Sequence, residues 1–222
     1  MTTSPPTFSP EQEQLLHDAA AWRLIGLLFE CPRPGWREQV AALGAETRDE
    51  RLRAASEAAQ TEASEGLHHS LFGPGGPVSP REVTYLGGVQ FGYLLSELNA
   101  YYEAFAYRPD TIEAEDHLSV EAGFMAYLAI KQAYALASGD NERAQITAGA
   151  ASHFSTDHLA LMVEPIARAL DTGGPPYLAL AGQALFERVG PPARRLVPLA
   201  DDLVAHDEDG EMNCGTTGAL RS

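Results

Sequence analysis

Between its glycines and prolines the chain places apolar residues at three- and four-residue steps, and it almost nowhere alternates apolar with polar. A helix returns side chains to one face every roughly 3.6 residues and a strand every two, so the periodicity selects helices. The boundaries carry helix chemistry as well. Ser9-Pro10-Glu11-Gln12 combines a capping serine, a proline at the first helical position and a glutamine that can reach back. From there Leu15, Ala19, Trp22, Ile25 and Phe29 step along one face until Cys31-Pro32-Arg33-Pro34 ends the helix. A short helix carrying Trp36, Val40 and Leu43 follows. Thr47-Arg48-Asp49-Glu50 then reads as a capping box opening an alanine- and glutamate-rich helix through about Glu65. Its weak apolar face places that helix on the outside.

Gly73 to Pro80 holds three glycines and three prolines in eight residues, which excludes a helix and predicts an ordered or hinging loop. Ser79-Pro80-Arg81-Glu82 restarts a helix. After Gly87-Gly88 an amphipathic segment from about Gln90 to Tyr107 presents Phe91, Leu94, Leu95, Leu98, Tyr101, Tyr102 and Phe105. Further helices are expected over Glu115–Ser138, with Leu118, Phe124, Met125, Leu128 and Tyr134 buried, and over Glu142–Phe154. Ser155 opens another, running to Leu170 and kinked at Pro165, and Tyr177–Val189 is the next. A last short helix reaches toward Val204, and 206–222 is expected to be a disordered tail. The prediction is a single all-α domain over 9–205, a compact irregular bundle of about nine helices, with its hinge at 73–80.

Charge narrows the function. The net charge is −16, and Lys131 is the one lysine, so arginine supplies nearly all positive charge. An acidic surface repels phosphate backbones, which argues against nucleic acid, and it favours encounter with a basic peptide. No stretch approaches the ~20 apolar residues of a membrane span, and the N-terminus lacks the basic and apolar regions of a secretory signal. Cys31 and Cys214 form no framework. A cytoplasmic protein without membrane insertion is expected.

Nucleophile motifs are missing, and the glycine loop lacks the Gly-Lys-Ser/Thr of a phosphate-binding loop. Glu113, His117 and Glu121 stack at four-residue steps, which leaves a helical-bundle metalloenzyme as one alternative and a generic acidic peptide-binding adaptor as another. The most informative stretch is Asp116-His117-Leu118-Ser119-Val120-Glu121-Ala122-Gly123-Phe124-Met125. There Asp116 is placed to cap a helix, and Glu121 lies one turn beyond His117, within reach of its imidazole.

This stretch resembles the signature helix of the TorD/DmsD/NarJ family of redox-enzyme maturation chaperones. Leu71-Phe72-Gly73-Pro74-Gly75 is similar to the family's upstream element, and Pro80, Glu82, the pair Tyr101-Tyr102 and Phe154-Ser-Thr-Asp-His158-Leu159 stand in the family's order. Trp22 to Phe29 is like its first helix, while Glu115 stands where the family has proline. The resemblance implies a chaperone without cofactor, resident metal or catalytic residue. Its partner would be the catalytic subunit of a molybdopterin-dependent oxidoreductase or that subunit's twin-arginine signal peptide. It also implies a client site centred on Asp116, His117 and Glu121 and lined by Leu71, Phe72, Gly73, Pro74, Tyr101 and Tyr102, in a monomer or a domain-swapped dimer.

Overall fold

A computed structural model of the chain describes residues 8–88 and 91–192. Nine α-helical segments follow in order: α1 Pro10–Leu28, α2 Trp36–Glu46, α3 Glu50–Glu62, α4 Glu65–Phe72, α5 Phe91–Phe105, α6 Leu118–Ala137, α7 Asn141–Phe154, α8 Ala160–Gly173 and α9 Pro176–Val189. A 3-10 turn occupies Glu82–Tyr85, and a π turn at Ser155–Leu159 joins α7 to α8 without a break. The all-α class holds, with eight separate rods where about nine were expected. Among the described residues the sole bridge is the isolated pair Arg81–His117, and no helix is long and apolar enough to cross a membrane. The expected helix toward Val204, the tail 206–222 and Cys214 lie outside the described residues.

The local signals at several ends act as read. Ser9 accepts from the Gln12 amide while Gln12 reaches back to the Ser9 amide, closing the capping box. Asp49 caps α3 by accepting from the amides of Arg51 and Leu52, so the cap is Asp49 rather than Thr47, which instead closes α2. Asp140 caps α7 through the Arg143 amide.

α1 and α6 form the centre. A Cβ on Gly26 would stand 3.0 Å from the Ser119 carbonyl oxygen, so the glycine lets the two backbones meet without either giving way. Leu24, Ile25, Leu27, Leu28 and Phe29 are all buried because α2, α3, α6 and α9 surround this half of α1. Trp36 donates its indole N–H to the Leu27 carbonyl at 2.7 Å, which ties α2 to the end of α1. α3 lies on the outside, as expected, with Glu50, Arg51, Arg53, Ala54, Glu57 and Thr61 exposed, but its inner face is packed. Leu52, Ala55, Ser56 and Ala59 are buried between α2 and α9, and small side chains are what allow that close approach. α5 is held through large rings: Tyr101, Tyr102 and Phe105 stack against Phe124 of α6 at centroid distances of 6.4, 5.0 and 6.1 Å.

Four further expectations change. Ser64 caps a helix, α4, that the composition did not advertise, so Leu71 and Phe72 are helical and the loop begins at Gly73. Arg81 onward makes only the 3-10 turn. The helix expected to start at Ser155 is a continuation through the π turn. Tyr134 is 71% exposed, pointing away from the core that Leu128 joins.

Candidate functional site

The start of α6 is tied to Pro80–Val83 by both side-chain and backbone hydrogen bonds. His117, not Asp116, caps the helix: its backbone is extended, and its Nδ1 accepts from the Ser119 amide at 3.1 Å and from the Ser119 hydroxyl at 2.7 Å. With Nδ1 accepting, the proton is assigned to Nε2, which faces the Glu113 carboxylate at 3.7 Å. His117 therefore does not pair with Glu121 one turn on, because the helix begins after it. Asp116 is freed for a distant partner. Its Oδ1 receives Arg81 Nε at 2.6 Å and Nη2 at 2.5 Å, and its Oδ2 receives the Val83 amide at 3.4 Å. Backbone bonds repeat the tie, from the Glu82 amide to the Asp116 carbonyl and from the Leu118 amide to the Pro80 carbonyl. Asp116 thus satisfies the N-terminal amides of the 3-10 turn rather than of its own helix.

Behind this junction lies a knot of buried ionisable groups. Glu82, Asp116 and Glu121 are each 0% exposed, and His117 and His158 are buried beside them. His158 Nδ1 meets both Glu82 oxygens, at 3.0 and 3.2 Å. Neither oxygen of Glu121 nor Nε2 of His158 has a hydrogen-bond partner. Burial pushes the Glu121 carboxyl well above its ordinary 4.5, and the carboxylates of Glu82 and Asp116 push it further. Burial likewise lowers His117 to about 3, reinforced by His68 and Arg81, and its ring is neutral. Tyr102 donates to the Glu115 carbonyl at 2.9 Å, and Tyr101 packs edge-on to His158 at 5.6 Å. The motifs spread along the sequence, at Glu82, Tyr101-Tyr102, Asp116–Phe124 and Phe154–His158, converge on this one knot.

The remaining sequence-named residues sit at the end of α1. Phe72 packs on Phe29 at 5.7 Å and on His68 at 5.1 Å. Leu71 is buried, and its carbonyl accepts from the Val78 amide at 3.2 Å, closing the 73–80 loop on itself. A Cβ on Gly73 would lie 2.4 Å from the His69 carbonyl oxygen, so that position admits glycine alone. Pro74 is exposed, Phe72, Gly73 and Tyr101 are half-buried, and Leu71, Tyr102, Asp116, His117 and Glu121 are buried. The nine fall into a buried set and an accessible set.

Sequence reasoning did not single out the strap that crosses over this region. Ala106 turns the chain out of α5 at a φ of 56°, and residues 107–117 then run over the ends of α1 and α6. The Tyr107 hydroxyl donates to the Val120 carbonyl at 3.2 Å, and Arg33 donates to the Asp110 carbonyl at 3.3 Å. Ile112, at the crown, is 93% exposed. Beneath it Glu30, buried, bridges Arg23 at 2.9 Å and Arg33 at 3.5 Å. The sequence signal for the strap was only an apolar residue between polar ones, which any loop can show. Glu113, His117 and Glu121 do not surround one point, and among the described residues no three His, Cys, Asp or Glu side chains are placed to hold a metal ion.

A family model described as nitrate reductase delta subunit matches residues 31–168. No curated protein matches the chain.

Proposed function

The chain belongs to the nitrate reductase delta subunit family, of the NarJ/TorD chaperone type, and on that ground we propose that it is a cytoplasmic chaperone for a molybdopterin oxidoreductase. It binds the unfinished catalytic subunit, and the twin-arginine signal peptide where the subunit carries one, until cofactor insertion and assembly are complete. The carrying observation is that the matched stretch, 31–168, contains all nine residues of the expected client site and both ends of the buried knot. Discrimination between an unfinished and a finished client requires differential binding only, so the chaperone itself makes and breaks no bond.

In this reading the buried and accessible residues divide the work. Asp116, His117 and Tyr102 hold the strap and the 3-10 turn in place, while Phe72, Pro74, Tyr101 and the strap meet the client. A chain of net charge −16 attracts an arginine-bearing segment at long range, and half-buried aromatics take its apolar part. Capture with a tagged chain from the source organism, grown while its molybdoenzymes are made, tests the proposal. Enrichment of a molybdopterin oxidoreductase subunit, present in wild type and reduced by Phe72→Ser with Tyr101→Ser, is the expected result. Recovery of no such subunit by a folded wild-type chain would refute it.

A further inference from the structure

A pocket of about 220 Å³ opens between the loop after α1 and the strap, walled by Cys31, Pro32, Pro34 and Ile112 and edged by Glu65 and Glu113. It is smaller than the roughly 300 Å³ at which small-molecule sites begin, which suits one side chain rather than a whole ligand. Most of its lining is apolar, yet its charge is unbalanced. Glu30 at its base is matched by Arg23 and by Arg33, which also lines the pocket. These three groups carry a net +1, and Glu65 and Glu113 carry −2, so the pocket is left at −1. The nearest rings do not change this at Glu113, whose neighbour His117 is neutral; Glu65 has His69 at 3.6 Å on its solvent side. Glu113 is only 23% exposed, and burial followed by the nearby Glu30 raises its carboxyl above its ordinary value, against the opposing charges of Arg81, Arg33 and His69. Burial raises the Cys31 thiol first, and Glu65 and Glu113 raise it further.

We propose that this pocket receives an arginine side chain of the client's peptide, its stem against Pro32, Pro34 and Ile112 and its guanidinium against Glu65 and Glu113. The inference rests on the client reading above and adds where the positive charge goes. Apolar walls with carboxylates at the mouth match a residue that is hydrocarbon along its length and cationic at its end. Arginine fits better than lysine because its planar fork can serve two carboxylates at once and is the more weakly hydrated cation. The pocket's position beneath the strap, with the exposed Ile112 as its outer wall, leaves the peptide's following apolar residues beside an apolar lip. Arg33 is engaged by Glu30 and the Asp110 carbonyl, which take up part of its hydrogen-bonding capacity.

The test uses a synthetic peptide with an Arg-Arg pair ahead of a leucine- and alanine-rich stretch, with fluorescence anisotropy on the full chain. Glu65→Gln with Glu113→Gln is expected to weaken binding roughly tenfold, about 1.4 kcal/mol, with the unfolding temperature unchanged. Replacing the peptide's arginines by glutamine should give a similar loss, and the two losses should not add, because both remove one interaction. Ile112→Ser should weaken binding independently of charge. In a Cys214→Ser chain, peptide should protect Cys31 from alkylation, and the Arg-to-Gln peptide should not. Equal peptide affinity for wild type and the double variant, with Cys31 unprotected, would overturn the pocket assignment while leaving the client reading standing. Failure of the peptide to bind wild type at all would overturn both the signal-peptide reading and this subsite.

Discussion

Glu121→Gln isolates the energetic consequence of the buried knot. Both Glu121 oxygens lack partners at 0% exposure, and the neighbouring carboxylates of Glu82 and Asp116 oppose its ionisation. In the unfolded chain Glu121 ionises near its ordinary 4.5, whereas in the folded chain burial and the Glu82 and Asp116 carboxylates make it keep its proton to higher pH. Above 4.5 the folded state therefore binds more protons than the unfolded state, so stability is fully present below that value and is lost as pH rises toward the folded pKa. The loss accrues at up to about 1.4 kcal/mol per pH unit for one proton. Glutamine is nearly isosteric and has no proton to hold, so it removes this dependence. The difference in unfolding free energy, variant minus wild type, should grow with pH from 4.5 upward with a slope approaching that value. Urea unfolding at a series of pH values, followed by the fluorescence of the buried Trp22 and Trp36, measures it. A difference that stays flat with pH, or a variant less stable at neutral pH, would refute the argument that Glu121 is buried as the neutral acid.

Three other outcomes follow from the same contacts. His117→Asn keeps a capping oxygen at the start of α6 but removes a ring whose pKa falls from 6.5 to about 3. Wild type should lose stability as pH drops from 6.5 toward 3, by up to about 1.4 kcal/mol per unit, and the variant should lose less, read from the same urea series. Gly44→Ala would place a Cβ 2.2 Å from Ser56 Oγ and 2.6 Å from Ser56 Cβ, for a loss of about 1–3 kcal/mol in chemical denaturation. Adding Ser56→Gly should recover part of it, and adding Ser56→Ala should not. Phe124→Ala empties the hub on which Tyr101, Tyr102, Phe105, Tyr107 and Phe154 pack, at a cost of about 3–5 kcal/mol. Hydrogen exchange should accelerate more in α5 than in α1, because α5 is attached through these rings.

The amino-acid sequence by itself determined the helical class, most helix ends and the stretch that carries the family signature. Each of these is a local matter. Periodicity acts within a turn or two, and the caps at Ser9, Asp49 and Asp140 reach only two or three residues along the chain. Tertiary structure decided whatever depends on a distant partner. Asp116 had the chemistry of a cap, but it caps a turn 33 residues upstream, and that leaves His117 to start α6. α3 is an outer helix, poor in large apolar residues as read, and what tertiary structure decided is that its alanine and serine face lets α2 and α9 come close. Glu121, spaced to meet His117, instead faces Glu82 across the knot, a neighbour 39 residues away that no spacing rule reaches. The strap and its pocket were the least legible, since their walls come from the end of α1, the start of α4 and the loop before α6. Local backbone hydrogen bonding sets secondary structure, but a pocket is made by elements that meet only after the chain has folded.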